Sequence, residues 1–254
     1  MPNFSSIIAP KTANIAVSHS HALGTYDYDM DELYSPDTNQ WRSKVLHIGS
    51  PKYSPNKTYA FDRSRYNKHG TITGALWKQL PSGVWVLYFD NVDDKIVVPH
   101  NAVFNLVTGT LEAWVKTSKT SGNNEIIVKD TTGTGWDNPF LLRHEGGTIL
   151  GRIGKNPTTL DIYSTTNIST LGIFYHATFT WDGSYSRMYI NGVLEATSAL
   201  YAFIPVVNNT DIQISKGPYG QFNGYIGEAK IYNRALSASE IMQNYLARKG
   251  KYGL

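Results

Sequence analysis

The sequence contains no cysteine. A disulfide framework, a thiol nucleophile and a cysteine-ligated zinc site are therefore excluded. Charge is scarce too: only 17% of the 254 residues are Asp, Glu, Lys or Arg, and the formal net charge is +3. Basic residues cluster only at Arg248, Lys249 and Lys251, which leaves no electrostatic footprint for nucleic acid. No apolar run approaches the ~20 residues of a membrane helix, so no membrane insertion is expected. Met1-Pro2-Asn3-Phe4 does not lead from a basic region into an apolar stretch, and no secretory signal is visible. Repeats and low-complexity tracts are absent.

Aromatic and turn-forming residues fill the space that charge leaves, with 17 Tyr, 6 Trp and 22 Gly. That balance suits an all-β protein with many turns. In Phe179-Thr180-Trp181-Asp182-Gly183 and Arg187-Met188-Tyr189-Ile190-Asn191-Gly192-Val193, alternating runs end in Asp-Gly and Asn-Gly. Both dipeptides tolerate the positive φ of tight hairpin turns. Period two places Leu111, Ala113 and Val115 on one strand face and Glu112, Trp114 and Lys116 on the other. The odd positions of 175–181 carry an apolar face in the same way, so each sheet is expected to have a buried and a wetter side. One helix is expected near the C-terminus. Ser237 caps it with Glu240 in a capping box, Ile241, Met242, Tyr245 and Leu246 form its apolar stripe over the sandwich, and Gly250 stops it.

The phrase "FTWDG…RMYINGV" resembles the laminin G-type modules of the concanavalin A-like lectin/glucanase superfamily. So do "DRSRYNKHGTITGALW" from Asp62, "LYFDNVDDKIVVP" from Leu87, "TLEAWVKTS" from Thr110 and "GYIGEAKIYNRALSASEI" from Gly224, in the same order. The resemblance implies an antiparallel β-sandwich of jelly-roll type over residues 58–254. Residues 1–57 do not match; they are read as an extended arm with one short alternating run at 13–17, too poor in apolar residues for its own core. The arm either packs along the sandwich or docks on a neighbouring subunit.

Catalytic phrases are missing. Glycosidases on this fold place a Glu-x-Asp-x-x-Glu phrase on one strand face, so that acid and nucleophile flank the sugar bond. None of the seven glutamates begins one. Glu112 is read as a surface pair with Lys116. Gly-x-Ser-x-Gly is absent, so no nucleophile elbow is present. The run Asp27-Tyr28-Asp29-Met30-Asp31 starts like a calcium loop but has Glu32 and Thr38 where Gly and Glu are required, and His19-Ser20-His21 lacks a completing ligand. Gly133-x-Gly135 runs into Trp136-Asp137-Asn138-Pro139, the wrong context for a phosphate loop.

Two expectations about ligands follow. The resemblance implies one structural calcium ion on Asp62, Asp94 and Glu228, although Gly227 stands where such modules carry a further acid; the alternative makes Asp62 and Glu228 turn and edge residues. Loop aromatics beside amides and acids suit carbohydrate, because sugar C–H faces stack on aromatic rings. The candidates are Trp136, Asp137 and Asn138 in one loop and Tyr219 and Phe222 in another. A non-enzymatic surface module is expected, with glycans or other subunits as partners. Two settings stand open. One is a virion or extracellular assembly in which a homo-oligomer exposes the sandwich; the other is a lectin or adhesin module of a bacterial surface system.

Overall fold

The computed structural model describes residues 42–51, 55–130, 133 and 137–254. The runs at 13–17, 19–21 and 27–31, and Trp136, lie outside the described residues.

Two eight-stranded antiparallel sheets stack face to face. The first contains β1 (Lys44–Ile48), β4 (Leu76–Gln79), β5 (Trp85–Asp90), β7 (Gly109–Thr117), β12 (Tyr175–Trp181), β13 (Ser186–Ile190), β14 (Val193–Thr197) and β18 (Asn223–Tyr232). Its order is β14-β13-β12-β7-β18-β5-β4, with β1 also paired to β18. The second contains β2 (Tyr59–Ala60), β3 (Gly70–Thr73), β6 (Lys95–Val98), β8 (Asn123–Val128), β9 (Phe140–Glu145), β10 (Thr148–Gly154), β11 (Thr159–Tyr163) and β15 (Ile212–Ile214). Its order is β11-β10-β9-β8-β15-β6-β3-β2. A separate hairpin joins β16 (Lys216–Gly217) to β17 (Gly220–Gln221).

The alternation read from the sequence builds the core. Leu111, Ala113 and Val115 meet Tyr175, Ala177, Phe179 and Trp181 in the main apolar cluster, together with Phe140, Ile149 and Ile214 of the opposite sheet. Asn191 and Gly192 both take positive φ, 51° and 80°, which closes the two-residue turn between β13 and β14. At the preceding hairpin the Asp182 carboxylate accepts from the amides of Ser184 and Tyr185.

Three expectations change. First, the boundary at 57/58 does not hold, because Lys44–Ile48 is a sandwich strand with all five residues buried. It fits there because β18 bulges between Ile226 and Ala229. The first half of β18 pairs β5 along one edge, and its second half pairs β1. Second, the outer face of the first sheet is not wet. The α-helix α1 (Ala238–Arg248), with the predicted capping box, lies over it. Ile241 is buried with Tyr189, Tyr232 and Leu236, and Tyr245 stacks on Trp114. All seven residues of β12 are consequently buried. Leu246 falls off the stripe and is 53% exposed. Third, Gly250 is not the stop: a 3₁₀ turn over Lys249–Tyr252 continues the chain, and Gly253 takes the left-handed φ of 82°.

That turn brings the Tyr252 ring onto Trp114 at 4.3 Å between centroids. Tyr252 also explains Gly227: a Cβ there would stand 2.4 Å from the ring. Gly227→Ala is expected to cost about 1–3 kcal/mol, since a packed ring must move to admit it. A denaturation midpoint equal to wild type would refute this close approach.

Candidate functional site

The outer face of the second sheet is where the Tyr219 turn meets Gly133. Cross-strand register builds two rows of outward side chains on it. One runs Glu125, Arg143, Leu150, Tyr163, and the other Val128, Leu141, Arg152, Asp161. Val128, Leu141 and Leu150 form a small buried apolar floor. Around that floor the charges pair. Arg152 makes a bidentate contact with Asp161 at 2.7 and 2.5 Å, and Arg143 Nε donates to Glu145 at 2.6 Å.

The hairpin β16–β17 folds back over this face. A Cβ at Gly217 would lie 2.9 Å from Glu125 Cγ and 3.0 Å from Val128 Cγ1, so the hairpin backbone lies against these two side chains too closely for a larger residue to enter without a shift. Tyr219, at the hairpin turn, sits under the Arg143 guanidinium at 5.1 Å and donates its hydroxyl to the Gly133 carbonyl at 2.8 Å. Gly133 and the Tyr219 turn, separate in sequence, therefore meet. Below them the buried Lys129 ammonium donates to the Asn208 and Thr210 carbonyls, and Asn208 donates to the Asp137 carbonyl at 3.0 Å. Burial lowers the Lys129 pKa to about 8.

Glu125 is the electrostatic outlier. It is fully buried, neither carboxylate oxygen has a hydrogen-bond partner, and Arg143 Nη1 stands 3.6 Å away. Loss of solvent pushes its pKa up to about 7, against the pull of Arg143 and Arg152 and with a push from Asp130.

Of the predicted carbohydrate residues, the half-buried Asp137 is tied through its carbonyl to Asn208, while Tyr219 belongs to this face. Phe222 does not: it is wholly enclosed in the main core, where no sugar ring can reach it. Asn138 is likewise fully buried. Sequence reading missed Arg143, Arg152, Asp161 and Tyr163. Their signal was a charged or tyrosyl residue at one or two outward positions of each of three consecutive strands: Arg143 and Glu145, Arg152, and Asp161 and Tyr163.

The proposed calcium ligands are not a matching set. Asp62 is saturated, its carboxylate accepting from the amides of His47, Ser64 and Lys68 and from the Ser64 hydroxyl, all at 2.7–2.8 Å. It is the turn residue of the alternative reading. Glu228 is paired with Lys230 at 2.8 Å and Arg248 at 3.5 Å, which supply the positive charge an ion would bring. Asp94 lies instead with Asp90 and Asp93, its carboxyl shifted upward by burial and these neighbouring acids. Calcium on Asp62, Asp94 and Glu228 does not fit these side chains, and EDTA is expected to leave the melting temperature unchanged. A fall in Tm on chelation, reversed by added calcium, would contradict that.

A laminin G-type family model of the concanavalin A-like lectin/glucanases superfamily matches residues 90–242. The chain belongs to this superfamily. The matched span holds every residue of the face described above, whereas β1–β4 precede it. No curated protein matches the sequence. Among solved structures, the superfamily sandwich is similar to the binding domain of a paraclostridial mosquitocidal protein, with a TM-score of 0.65 and 18% identity over 81% of this chain. It is also similar to the receptor-binding domain of botulinum neurotoxin D, with a TM-score of 0.64 and 19% identity over 82% of this chain. A third is a botulinum neurotoxin type C structure described by its dependence on two ganglioside molecules for cell entry, with a TM-score of 0.62 and 16% identity over 82%. The chain spans about half of each: 52%, 53% and 52% of their respective lengths. At such identities the likeness is one of fold.

Proposed function

We propose that this protein is a non-catalytic carbohydrate-recognition module, and that the outer face of its second sheet, around Tyr219 and Tyr163, is the binding surface. The observation that carries this is the hydrogen bond from the Tyr219 hydroxyl to Gly133, which holds an aromatic ring beside a field of paired charged side chains. Tyr163, 43% exposed, adds a second ring at the end of the same face. Glu145 and Asp161 offer carboxylate acceptors, and Arg143 and Arg152 offer donors, already oriented by their mutual pairing. The acids Glu145 and Asp161 are matched by Arg143 and Arg152, so the surface carries no excess charge and suits hydroxyl-rich neutral glycans. The receptor-binding and ganglioside-dependent proteins that share the fold support a recognition role.

A binding rather than hydrolytic role agrees with where the acids lie. Glu112 is enclosed between Lys230 and His176, and Glu125 lies under the hairpin, so neither is offered to a glycosidic oxygen. No observation among the described residues favours the virion or assembly role. A glycan array with the full chain tests the reading. Neutral glycans should bind, and Tyr219→Ala should weaken them by about 1–3 kcal/mol, the scale of a lost aromatic anchor. An array silent for wild type, or hits indifferent to Tyr219→Ala, would refute it.

A further inference from the structure

The second sheet ends, at the edge farthest from β11, in β2, and the first sheet ends in β4. A shallow, open cleft lies between these edges and is lined by Gly49, Asn56, Tyr59, Phe61, Arg63 and Trp77, among others. Three of these are aromatic, and Tyr59 is 48% exposed. The walls are locked together. The Trp77 indole N–H donates to the Asn56 carbonyl at 2.9 Å, and the Asn56 side-chain oxygen accepts from the amides of Thr58 and Tyr59 at 2.7 and 2.8 Å. That bond orients the indole, and the Asn56 side-chain NH₂ is left as a donor. The cleft lies on residues outside the span that the family model matches.

We propose that this cleft is a second saccharide site, taking one pyranose ring that carries a carboxylate. Ring-faced walls with few polar groups are the surface on which a sugar C–H face stacks. Among the described residues of the lining, Arg63 is the one that carries charge, and no acid accompanies it. Arg63 also makes a contact elsewhere, but a guanidinium has five N–H donors and can serve a carboxylate as well. The Tyr219 face differs in kind, since its outward acids and arginines are paired. This site does not depend on the other, and the two are separable by mutation.

The test is an NMR titration of the full-length protein, following the Trp77 indole N–H resonance. The probes are the methyl glycosides of glucuronic and galacturonic acid and of their neutral counterparts, glucose and galactose. The uronides should shift the resonance saturably and bind about tenfold more tightly than the neutral sugars. Tyr59→Ala, at an exposed position that does not endanger the fold, should weaken uronide binding about tenfold. Arg63→Gln should abolish the preference for the acid, and Tyr219→Ala should change nothing at this resonance. No shift with any of the four sugars, equal affinity for acidic and neutral rings, or an unaltered titration in Tyr59→Ala would each overturn the proposal.

Discussion

Glu112→Ala is expected to cost about 3–5 kcal/mol of folding stability, the largest loss foreseen for a single polar side chain here. The sequence pairs Glu112 with a surface lysine, yet in the fold it is buried beneath α1. It contacts Lys230 at 3.2 Å, His176 at 3.3 Å and Asn244 at 2.7 Å. Burial alone would push its carboxyl up. The Lys230 charge and the His176 and Asn244 contacts outweigh that and hold it well below the usual carboxylate range. A carboxyl lowered by folding contributes stability that is complete above its ordinary value, near 4.5, and is lost as the pH falls below it. Urea denaturation should therefore show the cost of Glu112→Ala at pH 7 and a shrinking difference toward pH 3. A difference of less than about 1 kcal/mol at pH 7 would mark the contact as an exposed pair of the ordinary kind.

Glu125→Gln should act in the opposite direction. Its carboxyl is raised from 4.5 to about 7, so between those values the folded chain holds a proton that the unfolded chain has released. Stability then falls as the pH rises through that window and levels off above it. A neutral amide of nearly the same shape avoids the penalty. A tenfold change in proton affinity between the folded and unfolded chain is worth ~1.36 kcal/mol, and the nearby Arg143 tempers the gain. The variant should be about 1–3 kcal/mol more stable than wild type at pH 8, and no more stable at pH 5. Equal stability at both pH values would show that the Glu125 carboxylate is not held in its ionised form at a cost.

The two glutamates also mark what was legible in the sequence. Strand alternation, the Asn-Gly and Asp-Gly turns and the capping box were local patterns, and each is found in the structure. The face to which Glu112 points was equally legible. Its burial was not, because the cover comes from α1 and Tyr252, more than a hundred residues away. Phe222 read as a loop aromatic since the amides Gln221 and Asn223 flank it. In the fold it turns into the core between the hairpin and β18, a placement set by the opposing sheet. The meeting of Gly133 with Tyr219 spans 86 positions and had no trace in either segment alone. Arg143, Arg152 and Asp161 stand on three separate strands, and only cross-strand register joins them into one surface.

The most direct measurement is backbone amide NMR of the full chain titrated with the tightest neutral glycan from the array. Glycan recognition on the second sheet predicts saturable shifts concentrated at Arg143, Arg152, Tyr163 and Tyr219, with the amides beneath α1 unmoved. Shifts confined to other surfaces, or none at saturating glycan, would contradict it.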